Sequence, residues 1–126
     1  MFVPGNLGYD FAIGWFPGFV ALCEYIDVLL GPDKRGFHWI QIKEKIGSAR
    51  YKWSLKLKRR PSGAEGIVFD KVMELVLAEE DATAVKCIYC GTPGSLHQLH
   101  GYLLVRCEQH RELADAGQAG SPWMAV

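Results

Sequence analysis

The chain has 126 residues, of which 49% are apolar and 22% charged; this fits one small globular domain and excludes a disordered chain. Lys and Arg total 14, as do Asp and Glu, so the formal net charge is zero and no global field draws the molecule to nucleic acid or to a membrane. The four cysteines lie in a pattern that suits a metal site in a reducing compartment rather than a disulfide framework.

Residues 1–15 read as irregular, broken by Pro4, Gly5, Asn6, Gly8 and Gly14. A first helix is expected from Pro17, a residue suited to a first turn, to a stop at Gly31-Pro32. Phe19, Leu22, Cys23, Ile26, Leu29 and Leu30 recur at three and four along it and make one apolar face. The apolar run 11–23, closed by Asp10 and Glu24, reads as too short to span a bilayer. No basic residue precedes Lys34, so no secretory leader is expected, and the expected location is cytoplasmic.

Residues 37–43 are rich in strand formers, and Lys45-Ile46-Gly47-Ser48 reads as their connection to a second strand. That strand alternates from 49 to 58: Ala49, Tyr51, Trp53, Leu55 and Leu57 on one face, Arg50, Lys52, Ser54, Lys56 and Lys58 on the other. With Arg59 and Arg60 at the exit, the cations Arg50, Lys52, Lys56 and Lys58 form a candidate partner-binding face. It could meet an acidic protein surface, or phosphates with Tyr51 or Trp53 stacking on bases. The plain alternative is a solvated face whose lysines guard a strand against aggregation. Phe11, Trp15, Phe16, Phe19, Trp39, Tyr51 and Trp53 are read as the core.

Ser62-Gly63-Ala64-Glu65 matches a capping box and opens a second helix that runs to about Ala82. Val68, Val72, Leu75 and Val76 form its inner stripe, widened by Phe69 and Met73, and Asp70, Glu74, Glu79, Glu80 and Asp81 make much of the rest acidic.

The strongest signal follows. Cys87-Ile-Tyr-Cys90-Gly91 and Cys107-Glu-Gln-His110 are two ligand pairs, each separated by two residues and joined by a hairpin-sized loop. Thiolates and imidazole at that spacing match a structural zinc site, and Gly91 permits the tight turn after Cys90. His97 and His100 lie in the same loop and are alternatives to His110 as fourth ligand. Ser95–Leu99 and Tyr102–Arg106 are expected to pair through His100-Gly101, and Glu108–Asp115 to form a terminal helical turn carrying His110. Residues 116–126 are expected to fray. No deaminase or metalloprotease pattern appears, and Cys23 with His38 lacks any motif that would make a nucleophile and base.

The order Gly14-Trp15, Gln41-Ile42-Lys43-Glu44-Lys45-Ile46-Gly47 with Arg50 and Tyr51, then Cys87-x-x-Cys90-Gly91 and Cys107-x-x-His110, resembles a group of small, largely uncharacterised zinc-ribbon proteins of bacterial and phage genomes. Ile46-Gly47-Ser48 departs from that group, where phenylalanine and two glycines follow the Gln-Ile-Lys-Glu-Lys stretch. The resemblance implies an α-β-β-α body with a zinc ribbon and no known enzyme activity. By analogy of class it implies a phage or mobile-element inhibitor of a bacterial defence complex, of the anti-CRISPR kind.

The expectation is therefore an α+β fold: an α-β-β-α body over 1–84, a zinc ribbon over 85–115 built from a short hairpin and a terminal helical turn, and a flexible tail over 116–126. Its expected role is that of a non-enzymatic protein-binding module holding Zn²⁺, without a small-molecule substrate. Nucleic-acid binding through strand 49–60 is the alternative.

Overall fold

The computed structural model describes residues 11–56, 63–99 and 101–124. Its order is α1 (Phe16–Leu30), β1 (His38–Lys45), β2 (Ser48–Ser54), α2 (Gly63–Thr83), β3 (Ser95–Leu99), β4 (Tyr102–Arg106) and α3 (Glu108–Asp115), with short 3-10 segments at Ile13–Trp15 and Gly31–Gly36. This is the expected α+β architecture. Two separate two-stranded antiparallel sheets are present, β1 with β2 and β3 with β4. Leu57, Lys58, Arg59, Arg60, Ser62 and His100 lie outside the described residues, and with them the capping serine and half of the expected basic face.

Spacing explains the helices. Phe19, Leu22, Ile26 and Leu30 on α1 are buried together with Val72 and Val76 on α2, each set at three- and four-residue intervals. The segment Ile13–Leu30, with a mean hydropathy of 1.5, is long and apolar enough to cross a membrane by length and composition. The apolar stretch therefore extends beyond the 11–23 run, across Glu24 and Asp27. In this fold its inner stripe covers the core.

The core is aromatic. Phe19 lies 5.1 Å from Trp39 and 5.3 Å from Tyr51 by ring centroids, and Trp53 lies between Phe37 at 5.8 Å and Phe69 at 5.1 Å. Two expected core members sit elsewhere. Phe16 is 46% exposed at the start of α1, touching Phe11 edge-on, and Met73 is 40% exposed on the outer side of α2.

The hairpin β1–β2 turns on Ile46 and Gly47, whose φ values are 49° and 85°. Two positive φ values make the mirror-image turn that matches strand twist. The Gly47 amide donates to Glu44 Oε1 at 2.6 Å. Further along, Ile40 is the extra residue of a bulge between Trp39 and Gln41. The open edge of β2 is closed by α2: Ala49 N donates to Thr83 Oγ1 and Tyr51 N to Glu80 Oε2, both at 2.8 Å. An edge sealed by side chains cannot recruit another strand.

Residues 118–124 do not fray. Ala12 and Trp123 form an antiparallel bridge, Ile13 N donates to Pro122 O at 2.7 Å, and Met124 N donates to Phe11 O at 2.8 Å. Trp123 packs edge-on against Trp15 at 6.1 Å. Partial burial of an indole and an isolated backbone bridge outweigh the glycines that suggested a loose end.

Candidate metal centre

The site begins with a loop held by its own backbone. Cys87 N donates to Thr92 O and Gly91 N to Cys87 O, both at 2.8 Å, which wraps residues 87–92 around the Cys87 sulfur. Gly91 has φ 77°, the left-handed value a non-glycine residue avoids. Ile88 then ties this loop to the rest of the molecule. It is fully buried; its amide donates to Val105 O on β4 at 2.9 Å and its carbonyl accepts from Gly14 N at 2.7 Å. Gly14 is required there, because a Cβ at this position would overlap the Cys87 carbonyl oxygen and stand 2.8 Å from Gly91 N.

The second pair arrives on the β4–α3 junction. Cys107 is the N-cap of α3, its sulfur accepting the His110 amide at 3.4 Å. One turn of helix therefore places His110 beside it. The ligand atoms of Cys87, Cys90, Cys107 and His110 all lie within 4.8 Å of one another. His110 Nδ1 is 3.7 Å from Cys87 Sγ and 3.1 Å from Cys107 Sγ, and Cys90 Sγ is 3.8 Å from Cys107 Sγ. Three sulfurs and a ring nitrogen thus converge on a volume the size of one ion, and the cluster can hold a metal.

Outer contacts orient these ligands. Tyr89 stacks on the His110 ring at 5.1 Å with planes 10° apart, fixing the imidazole so that Nδ1 faces the sulfurs. Thr92 Oγ1 lies 2.9 Å from Cys90 Sγ. Burial pushes the Cys87 thiol up, against the amides of Cys107, Tyr89 and Cys90 that favour its thiolate. Cys90 and Cys107 move the other way: burial, the largest single influence on each, raises them, but it is outweighed by the combined hydrogen bonds from Thr92 and the neighbouring thiols to Cys90, and from His110 and Cys87 to Cys107. Arg106, immediately before Cys107, is buried with its guanidinium 3.8 Å from Asp115 Oδ1, which links β4 to the end of α3.

The four residues named from spacing are the four the fold brings together. His97 is excluded from the cluster; its Nε2 faces Arg111 at 3.3 Å and Ser95 at 3.5 Å. His100 lies outside the described residues.

The basic face differs from its sequence reading. Arg50, Lys52 and Lys56 are exposed, whereas Lys58, Arg59 and Arg60 lie outside the described residues. The register adds two residues that reading β2 alone misses. Lys43 stands opposite Arg50 and Lys45 opposite Ser48, with Gln41 opposite Lys52. The alternation of Gln41, Lys43 and Lys45 along β1 was the available signal. Tyr51 is 2% exposed and Trp53 is half-buried against Phe37 and Phe69, so neither offers a free ring to a base.

Comparison with family models, with curated proteins and with solved structures finds no match to this chain.

Proposed function

We propose that the chain is a zinc-stabilised, non-enzymatic protein-binding module of the cytoplasm, with the solvent face of the β1–β2 hairpin as its contact surface for an acidic partner. One observation carries this reading. Lys43, Lys45, Arg50 and Lys52 project from that face, Lys43 directly opposite Arg50. Among the described residues no carboxylate pairs with any of them. Like charges facing each other across strands cost about 0.2–1 kcal/mol. A face kept at that cost suits a partner that neutralises it and is steered onto it.

Zinc is the ion this donor set suits. Metal–sulfur bonds of about 2.3 Å put two sulfur corners of a tetrahedron about 3.8 Å apart, matching the 3.8 Å between the Cys90 and Cys107 sulfurs. Four protein ligands leave no corner for a reacting water, which supports a structural ion and a non-catalytic role. The burial of Tyr51 and Trp53 favours a protein partner over nucleic acid, since single-strand binders of this design stack bases on exposed rings. The resemblance to small bacterial and phage proteins supports the narrower reading of an inhibitor that plugs a host defence complex, for which rigidity and surface shape matter more than an active site.

The test is capture from a bacterial lysate with and without nuclease treatment, comparing the zinc-loaded parent with a K43E/R50E/K52E variant, followed by mass spectrometry of what is retained. The expected result is a protein held by the parent and lost by the variant, with one zinc per chain in both by elemental analysis. Equal retention by the variant removes the basic face from the account. Retention that disappears with nuclease treatment assigns the face to nucleic acid.

A further inference from the structure

The tip of the β1–β2 hairpin carries a feature that neither turn chemistry nor core packing requires. Ile46 occupies a left-handed conformation, φ 49°, and its side chain is 68% exposed. A left-handed conformation costs an ordinary residue about 1–2 kcal/mol, and a β-branched one is a clear outlier there. Asparagine or glycine would make the same turn without strain. An exposed isoleucine gains nothing from the core in return, so the side chain itself is what is being presented.

Beside it stands the ribbon hairpin. Gly47 lies so close to β3–β4 that a Cβ there would overlap Leu96 Cδ1 and stand 3.4 Å from Val105 Cγ2. The register pairs Leu96 with Val105 and Gln98 with Leu103, so Leu96, Leu103 and Val105 share the face turned to Gly47. Val105 is buried beneath, whereas Leu96 is 46% and Leu103 41% exposed. The two hairpins, one from the body and one from the ribbon, therefore meet at Gly47, and the exposed apolar residues Ile46, Leu96 and Leu103, called the ridge below, lie on the segments that meet there. Lys45 adjoins this ridge in sequence, and Lys43 and Arg50 continue the cationic face behind it.

We infer, resting on that reading of the basic face, that the ridge and the cations form one docking surface for an acidic amphipathic peptide segment, in which leucine, isoleucine or phenylalanine side chains alternate with Asp and Glu. Charge complementarity selects carboxylates, because the outer face of the hairpin offers four cations among its described residues. The half-exposed leucines of the ribbon, with Leu96 against Gly47 next to Ile46 in sequence, offer a short apolar step for one or two side chains, and this suits a peptide anchor better than a bilayer. The metal matters to this surface, because the ligand pairs flank β3–β4 and hold Leu96 and Leu103 in place against the tip.

A yeast-displayed library of random short peptides, sorted against the full zinc-loaded chain, tests this. The enriched peptides should combine acidic with large apolar residues. They should bind an Ile46→Asn variant about tenfold or more weakly than the parent, the loss expected when one buried isoleucine contact is removed. That variant should melt at the same temperature as the parent or higher, since asparagine relieves the turn, so weaker binding cannot be attributed to misfolding. Leu96→Gln should weaken the same peptides. Enriched peptides that bind Ile46→Asn as tightly as the parent, yet lose affinity for K43E/R50E, overturn the ridge and leave the basic face standing. Peptides indifferent to both variants overturn both readings. Absence of enrichment also overturns the inference, as does Ile46-dependent binding of phosphatidylserine vesicles or duplex DNA in place of peptide.

Discussion

Replacing Gly14 by alanine should uncouple the metal loop from the body. The Cβ would overlap the Cys87 carbonyl oxygen and stand 2.8 Å from both Gly91 N and Ile88 C. All three neighbours are backbone, so no side chain can swing aside, and an ordinary carbon–oxygen contact needs about 3.3 Å or more. The two segments must separate, and the hydrogen bond from Gly14 N to Ile88 O, 2.7 Å long, is lost with its ends still in the interior. Overpacking costs about 1–3 kcal/mol, and the unpaired buried groups cost about 1–3 kcal/mol more. A total of about 2–6 kcal/mol corresponds to a fall in melting temperature of about 8–24 °C for a domain of this size. Thermal unfolding of the zinc-loaded protein, followed by circular dichroism, reads this directly. Metal affinity, measured by competition with a chromogenic chelator, should fall in parallel because the displaced oxygen belongs to a ligand residue. Gly66→Ala provides the contrast: that glycine lies inside α2 with nothing within 4 Å of its added carbon, so the change should stabilise by up to about 1 kcal/mol. A Gly14→Ala protein melting within about 3 °C of the parent, with unchanged metal affinity, would refute the reasoning.

Two further expectations concern the β2 edge and the thiols. Thr83→Val removes the acceptor of the Ala49 amide and the hydroxyl that donates to Glu80 O at 2.6 Å; denaturant unfolding should show a loss of about 1–3 kcal/mol, and an unchanged midpoint would mean that water replaces the hydroxyl. After the metal is chelated, iodoacetamide should mark Cys90 and Cys107 ahead of Cys87. The thiolate is the reactive form, hydrogen bonds lower the first two thiols, and burial raises the third. Equal labelling of all three would show that the loop does not keep its shape without the ion.

Local patterns were legible in the sequence wherever one residue type satisfies one local demand. The ribbon hairpin and α3 fall within the boundaries that breakers and alternation suggest, because Gly101, with φ 84°, and the Cys107 cap act over three or four residues. The ligand set was legible for the same reason, since the spacing of each pair is the geometry. What escaped depends on contacts between distant segments. Nothing local distinguishes Gly14 as the point where residues 11–15 meet the metal loop, and the glycines before Trp123 resemble any loose end until the partner strand at Ala12 is known. The alternation along β1 puts Lys43 and Lys45 on one face, but that this face continues Arg50 and Lys52 of β2 follows only from the register. Phe16 and Met73 were assigned inward on hydrophobicity alone, whereas their positions on the helices turn them outward.

The bridge between Ala12 and Trp123 has a consequence for biosynthesis. Phe11 and Ile13 cannot reach their final neighbours until residues 122–124 have been made, since their backbone partners lie there, and Gly14 takes its own from Ile88. The nascent polypeptide therefore leaves Trp15 uncovered by Trp123 while the residues between them are translated. Closure of this pairing comes only after both cysteine-bearing pairs, Cys87 with Cys90 and Cys107 with His110, have been made.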